Sequence, residues 1–360
     1  MDAALDNTTA DVAGVEVPVQ VKGLGLIDYS TTVLLTNIFL YGIWIPIVFS
    51  GIVTNIINTV VFVRIGMKDI VNVSFLALSM SDLLYLSFTM IYLIPSTLTF
   101  SGRPIKWLQS PYTLNSYIVW YAILFYDLSI LITTYIAVAR CCCVTMALKF
   151  RSFFTVSRTY TALGVLSVVC LALHIPMIAS QNLQWETDKK TNTTKLTLVR
   201  SDAFPDVQYF HDITNRNVVP YTCLAINIIC LAALTFTLKS ATQIRKKMAM
   251  SASTDGNTGK RDSKLSAKDI QVVKAVSLVA SMFVFCSLLT TIKALVRRAI
   301  PDYDGRGQYR NLFQLTTGVV TIFTYLNATV NIIVYYPFNT KYRQSLTEIF
   351  CKGKKPEEPK

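Results

Sequence analysis

The sequence predicts an all-α fold: a bundle of seven transmembrane helices followed by a short amphipathic helix on the membrane surface. Three observations support this prediction. Of 360 residues, 52% are hydrophobic and only 15% are charged, whereas soluble domains carry about 25% charge. Seven apolar segments each reach the ~20 residues that a helix needs to cross the hydrocarbon core. The net charge of +13 is concentrated in a few short loops and near the C-terminus, as the positive-inside rule expects.

The seven segments follow one another without an internal repeat, and we refer to them as helix one to helix seven. They span residues 38–64, 71–98, 112–143, 157–180, 214–239, 269–297 and 311–336. Their length and lack of alternating polarity exclude transmembrane strands. We therefore predict an extracellular tail over 1–37, a membrane domain over 38–336, and a cytoplasmic surface helix and tail over 337–360.

The charge distribution predicts the orientation in the membrane. The first forty residues contain five acidic residues and one lysine, whereas the loops after helices one, three and five are rich in lysine and arginine. Such basic loops stay on the cytoplasmic side, so we expect a multi-pass plasma-membrane protein with an extracellular N-terminus. The sequons at Asn7 and Asn192 are then predicted glycosylation sites. Cys351, just after the surface helix, is a palmitoylation candidate, and a free cytosolic thiol is the alternative.

Several classes of function are excluded by composition. The basic residues lie in loops between apolar helices rather than on one face, which argues against nucleic-acid binding. The eight cysteines lie in apolar runs or on the basic side, and with only two histidines the chain shows no metal-ligand spacing. No nucleophile lies beside a general base, so we expect no enzymatic activity and no organic cofactor.

A few polar residues lie inside the apolar segments. Helix one contains Asn55, helix two Asp82, helix three Ser129, and helix seven both Asn327 and Asn331. Each polar group inside a membrane costs a few kcal/mol unless it is paired, so these residues are functional candidates.

The order of these residues resembles the rhodopsin-like (class A) G-protein-coupled receptors over the whole membrane domain. The matching fragments are Asn55 after Gly51, Asn72 and Asp82 in helix two, Arg140-Cys141 at the end of helix three, FVFCSLL over 283–289, NIIVY over 331–335, and Tyr342-Arg343. The chain looks most similar to invertebrate, especially molluscan, peptide-type and chemosensory receptors.

The resemblance implies a receptor that binds an extracellular short peptide or small polar molecule and activates a heterotrimeric G protein, with arrestin as a further partner. Two alternatives remain at this stage. One is a receptor of the same fold for environmental small molecules. The other is a seven-helix transporter or channel, although the internal repeats of many transporters are missing.

The resemblance also implies a sodium and water site formed by Asp82, Ser129, Asn327 and Asn331, with Asn55 nearby. A buried carboxylate surrounded by hydroxyl and amide oxygens suits a hard monovalent cation. A structural sodium ion is therefore the one cofactor that we expect. The alternative is a set of interhelical hydrogen bonds that needs no ion.

Activation residues follow from the same resemblance. Arg140, Asn331 and Tyr335 match residues that transmit activation in the family. Ala139 precedes Arg140, where the family has an acidic residue. Asp269 lies where the family can place an acidic partner on helix six, so we predict that an Arg140–Asp269 pair stabilises the inactive state.

The sequence departs from the family pattern in two ways. Ser287, Leu289 and Ile332 replace the usual tryptophan and prolines of helices six and seven, which puts the hinge mechanism of the family in doubt. Asn115 replaces the disulfide cysteine of helix three. The long outer loop over residues 181–213 must therefore be held by contacts other than a disulfide.

A ligand pocket is predicted between helices three, six and seven. Its candidate residues are Asp127, Tyr126, Lys293, Arg297, Tyr325 and Ala122. Facing charges favour a polar or zwitterionic ligand, and the alternative is an internal Asp127–Lys293 pair that neutralises both groups. Ala122 stands where amine receptors carry aspartate, so a biogenic amine is less expected.

Overall fold

The computed structural model describes residues 26–100, 111–146, 153–188, 193–252, 267–305 and 307–350. Seven helices in this part of the chain are long and apolar enough to cross a membrane. The predicted seven-helix fold is therefore confirmed.

Most of the helices extend beyond their predicted limits, and helix four ends one residue earlier than predicted. Helix one comprises Tyr29–Asn37, a π-helical segment Ile38–Trp44 and Ile45–Ile65; helices two, three and four are Ile70–Phe100, Pro111–Thr145 and Val156–Ala179. Helix five comprises Phe204–Ile213, the π-helical segment Thr214–Val218 and Val219–Ala252; helix six is Ala267–Ala299. Helix seven comprises Arg310–Thr329 and Asn331–Phe338, and the surface helix is Thr340–Phe350.

The N-terminus of helix one is capped by Asp28. Its carboxylate accepts hydrogen bonds from the backbone amide of Thr31 at 2.9 Å and from the Thr31 hydroxyl at 2.6 Å. These hydrogen bonds lower the pKa of Asp28, because they favour its charged form. Helix one therefore begins at Tyr29 rather than at residue 38, within the segment that we predicted as a tail.

The outer loop between helices four and five is more ordered than the sequence predicts. Strand β1, Gln181–Asp188, pairs antiparallel with strand β2, Thr193–Arg200. Helix five begins at Phe204 rather than at residue 214. Its first ten residues contain Asp, His and Pro. These residues lower the mean hydropathy of the segment, so the apolar pattern did not predict this part of the helix.

This loop is held without a disulfide, since the cysteines in the described part of the chain are free. Phe204 is buried against Trp120 of helix three and Met177 of helix four. The Arg200 guanidinium lies 4.4 Å from the centroid of the Phe204 ring. An aromatic anchor with a stacked cation thus fixes the hairpin to the bundle.

Helix seven is interrupted at Val330, although Ile332 stands where the family has a proline. In a regular helix the carbonyls of Ala328 and Thr329 would accept from amides four residues later. Here they accept instead from Asn55 Nδ2 at 2.8 Å and Thr54 Oγ1 at 3.2 Å. Side chains of helix one therefore produce the break that proline usually causes.

Close approach between helices one and seven accompanies this break. A Cβ atom on Gly51 would overlap the Thr329 hydroxyl and the Leu86 side chain. The Thr329 hydroxyl in turn donates to the Tyr325 carbonyl at 2.8 Å, a bond that bends helices. Glycine at position 51 therefore allows helix seven to break next to helix one.

Candidate functional site

The first candidate site is a buried carboxylate that joins three helices. Asp82 of helix two is 1% exposed. Its Oδ1 accepts a hydrogen bond from Ser129 Oγ of helix three at 2.5 Å, and its Oδ2 accepts from Asn331 Nδ2 of helix seven at 2.8 Å. Asn331 is the first residue after the break in helix seven, so the position of that break determines whether it reaches Asp82.

The surroundings of Asp82 fit a monovalent cation. Among the ion pairs of the described residues, none includes Asp82. Ser79, three residues earlier and on the same helix face, has a buried hydroxyl that faces the buried hydroxyl of Tyr335. Within the described residues neither hydroxyl has another hydrogen-bond partner. A carboxylate buried with neutral partners is costly, and an ion held by these oxygens would reduce that cost.

Two residues of the predicted sodium site lie elsewhere. Asn55 donates to the carbonyls of Gly51 and Ala328 and supports the break in helix seven rather than contacting Asp82. Asn327 is half-buried, and within the described ranges its side chain makes no hydrogen bond. The structure therefore brings together Asp82, Ser129 and Asn331 out of the five candidates.

An aromatic cluster continues from this site to the end of the bundle that carries the surface helix. Tyr335 is completely buried, and its ring centroid lies 5.1 Å from Phe62, 4.6 Å from Phe75 and 5.7 Å from Tyr342. Tyr342 belongs to the surface helix, and its hydroxyl donates to Asn58 of helix one at 2.6 Å. Burial raises the pKa of Tyr342 above its ordinary value. The last turns of helix seven are thus coupled to helix one, helix two and the surface helix.

Arg140 is half-buried in the last two turns of helix three, and Ala139 beside it is buried in the bundle. Asp269 lies on helix six, but its side chain is outside the described part of the structure. The Arg140–Asp269 pair therefore stays a prediction. Asn7, Asn192 and Cys351 also lie outside the described residues.

The second candidate site surrounds Asp127 of helix three. Its Oδ2 lies 3.2 Å from Nε2 of His174 on helix four, so the alternative Asp127–Lys293 pair does not form. His174 Nδ1 lies 2.9 Å from the Cys170 carbonyl. Because a carbonyl can only accept, Nδ1 carries a hydrogen. One proton must therefore lie between His174 Nε2 and Asp127 Oδ2, bound either to the nitrogen or to the oxygen.

A second histidine completes this cluster. The ring of His211, from the first part of helix five, lies 5.0 Å from that of His174 and 5.3 Å from Trp120. It is 1% exposed, and neither ring nitrogen has a partner among the described residues. Asn215, in the π-helical segment, places Nδ2 3.3 Å from His174 Nε2, the ring nitrogen that can accept from it when the shared proton lies on Asp127. Both histidines of the chain thus lie in one buried cluster.

These two histidines were not among the predicted site residues. His174 lies in the apolar run of helix four, and ionisable residues inside a membrane helix are functional candidates by default. That signal was available in the sequence. His211 gave no such signal, because its segment was assigned to a loop.

The remaining pocket candidates are spread over two regions. Lys293 Nζ donates to Thr317 Oγ1 at 2.8 Å, and Arg297 forms an ion pair with Asp304 at 2.5 Å, both near the outer end of helix six. The other candidates lie in a buried aromatic layer. There the Tyr325 and Tyr92 hydroxyls are 2.6 Å apart, the Tyr126 ring is 5.2 Å from that of Tyr85, and Ala122 is 2% exposed.

Comparison with known families identifies this architecture. A protein-family model described as "Serpentine type 7TM GPCR chemoreceptor Srw" matches residues 43–353. No curated protein matches the chain. Since the match covers most of the sequence, the chain belongs to the Srw family of serpentine chemoreceptors, and it is a multi-pass membrane protein of the chemosensory receptor type. The narrower resemblance to rhodopsin-like and molluscan receptors stays a prediction.

Proposed function

We propose that this chemoreceptor binds an extracellular short peptide or small polar molecule and activates a heterotrimeric G protein, with arrestin as a further partner. In this proposal the N-terminus is extracellular, and the basic loops and the surface helix face the cytoplasm. Family membership supports a receptor with an extracellular ligand. The class of ligand and the G protein are our own inference.

The proposal depends mainly on the contact of Asp82 with Ser129 and Asn331. These residues join three helices at the point where helix seven is interrupted. A receptor needs an element with two arrangements, whose equilibrium ligand binding can shift. Hydrogen bonds to one carboxylate can be exchanged when helix seven moves, and the aromatic cluster around Tyr335 would transmit that movement to the cytoplasmic side.

The inner end of helix three provides the site for the G protein. Arg140 follows the buried Ala139 and lies near the end of helix three that we propose to be cytoplasmic. In our proposal, movement of helix six exposes Arg140 to the G protein. A sodium ion at Asp82 would favour the resting arrangement, because the ion holds the oxygens of helices two, three and seven together.

The outer cluster supports a polar ligand. Asp127, His174 and His211 lie between helices three, four and five. The two nitrogens of His211 have no partner within the described ranges, and such groups would gain a hydrogen bond from a polar ligand or a water molecule.

The test is a G-protein activation assay in cells that express the full chain. We would screen amidated short peptides and small polar metabolites, and then compare Arg140→Ala with the wild type. We expect the Arg140 variant to lose at least nine-tenths of the response while surface expression is kept. Arg158→Ala is the matched control, since Arg158 is an exposed arginine at the start of helix four, and it should retain most of the response.

Two outcomes would contradict the proposal. One is a full response from Arg140→Ala at equal surface expression. The other is a ligand-evoked current that persists when G proteins are absent, which would favour the channel alternative.

A further inference from the structure

A groove lies between the outer halves of helices six and seven, outside the two sites described above. Its cavity volume is about 720 Å³, within the range of about 300–1,000 Å³ that small-molecule sites occupy. Its walls are mainly aliphatic, and they include Leu289, Ile292 and Val296 of helix six and Leu312, Val319 and Val320 of helix seven.

The groove opens toward the space that the bilayer would fill. Ile292 is 55% exposed and Val319 is 43% exposed, and both belong to membrane-spanning segments. A molecule dissolved in the membrane could therefore enter from the side, without passing through the extracellular loops.

One wall of this apolar groove carries a cation. Lys293 lies six residues before Ala299, the end of helix six, or about 9 Å below it at 1.5 Å per residue. Its Nζ donates to Thr317 Oγ1 at 2.8 Å and lies 4.9 Å from the centroid of the Phe313 ring.

No carboxylate compensates this charge in the described part of the chain. Lys293 takes part in none of the ion pairs there, and Asp304, an acidic residue near the outer end of helix six, is paired with Arg297. A cation beside an apolar cavity is costly unless an anion accompanies it. The charge and the shape of the groove are therefore complementary to a molecule with one anionic head and an apolar body.

We propose that this groove binds a free long-chain carboxylate that enters from the outer leaflet. The carboxylate accepts a hydrogen bond from Lys293 Nζ, because the Thr317 hydroxyl already donates its hydrogen to the Phe313 carbonyl. The acyl chain packs against the aliphatic walls toward Leu289. This lipid site is separate from the proposed ligand cluster around Asp127, and binding to it does not depend on G-protein activation.

Two observations favour a free carboxylate over the headgroup of an anionic phospholipid. Lys293 lies six residues before the end of helix six, inside the apolar membrane-spanning segment Ser277–Ala299, whereas headgroup phosphates lie outside the hydrocarbon core. The groove also provides one cation, which matches one carboxylate. In the competing explanation, Lys293 extends toward the interface and ordinary lipid fills the groove.

The experiment uses the full chain, purified and placed in phosphatidylcholine nanodiscs. The probe is palmitate that carries a diazirine in the middle of its chain, and mass spectrometry locates the crosslinks. We expect crosslinks within residues 289–300 and 309–320, and competition by palmitate but not by hexadecanol, which lacks the charge.

Variants test the role of the cation. Lys293→Met should weaken palmitate binding about tenfold, because a charge-assisted hydrogen bond contributes about that factor, and Lys293→Arg should restore most of it. Arg298→Met is the matched control, since Arg298 is an exposed cation on the same helix outside the groove, and it should bind like the wild type. Val319→Trp, on the lipid-facing wall, should block the groove while leaving thermal unfolding unchanged.

Three results would overturn the proposal. Equal labelling of Lys293→Met and the wild type would show that the charge is not used. Equal competition by hexadecanol would show ordinary lipid filling, and equal competition by phosphatidylserine would identify a phospholipid headgroup as the ligand. Failure of G-protein activation would leave all three readouts unaffected, so the two proposals are tested separately.

Discussion

Two aspartates are buried in the same membrane bundle, and their partners differ. Asp82 is 1% exposed and Asp127 is 6% exposed. Asp82 accepts hydrogen bonds from two neutral groups, Ser129 and Asn331, whereas Asp127 contacts His174, which can carry a positive charge. Burial is nearly the same, so the partners determine what each carboxylate can do.

This difference separates an ion site from an internal pair. Asp127 and His174 hold one proton between them and need no further ion to balance the charge. Asp82 has no basic partner within the described ranges, so it needs either a cation or its own proton. Stabilisation by sodium should therefore require Asp82 but not Asp127. Removal of the partner side chain should lower the free energy of unfolding most at Asp127.

The largest effect is expected from breaking the pair of Asp127. His174→Leu leaves a buried carboxylate without a partner, and we expect it to lower the free energy of unfolding by about 3–5 kcal/mol. Thermal unfolding of the purified receptor in detergent measures this loss. His211→Leu is the control, because His211 is equally buried but takes part in no ion pair of the described residues, and its effect should be smaller. Equal effects of the two substitutions would contradict the pairing.

The next effect concerns the close contact that accompanies the break in helix seven. Gly51→Ala places a methyl group against Thr329 and Leu86, and we expect a loss of about 1–3 kcal/mol, measured by thermal unfolding. In helix four, ten residues before His174, a Cβ atom on Gly164 would meet nothing within 4 Å. Gly164→Ala should therefore be neutral or slightly stabilising. If Gly164→Ala destabilised the receptor and Gly51→Ala did not, the close contact between helices one and seven at Gly51 would be contradicted.

Sodium binding gives an effect of intermediate size. Replacing choline chloride by sodium chloride should stabilise the wild-type receptor by about 1.4 kcal/mol when sodium is at ten times its dissociation constant. Asp82→Asn should abolish this difference, whereas Asp127→Asn should keep it despite its lower stability. A sodium effect that survives in Asp82→Asn, or that disappears in Asp127→Asn, would show that Asp82 is not the carboxylate that binds the ion.

The same comparison shows what the sequence could predict. The seven helices follow from hydropathy, since the lipid requires long apolar segments. Asp82, Ser129 and Asn331 could be grouped because they lie in consecutive family motifs at similar depth. The contact of Asp127 with His174 could not be predicted, because the sequence offered Lys293 as an alternative partner and does not show which way each helix faces.

Two further features depend on tertiary contacts that no local pattern reveals. The break in helix seven arises because Asn55 and Thr54 of helix one take carbonyl groups that a continuous helix would use. The sequence, which has Ile332 in place of the proline, therefore did not reveal this break. The early start of helix five also depends on packing, since Phe204 is held by Trp120 and Met177.

The smallest effect is expected where a charged pair is exposed. Arg64 of helix one and Glu348 of the surface helix lie 3.1 Å apart, with side chains 48% and 52% exposed. Water screens such a pair, so Glu348→Gln should change the free energy of unfolding by less than about 1 kcal/mol, and the change should vanish at high salt. Tyr342 lies on the same surface helix as Glu348, and its hydroxyl donates a buried hydrogen bond to Asn58 of helix one. Tyr342→Phe removes this hydrogen bond and should lower the free energy of unfolding more than Glu348→Gln does. A larger loss from Glu348→Gln than from Tyr342→Phe would show that partner charge, rather than burial, controls the strength of these contacts.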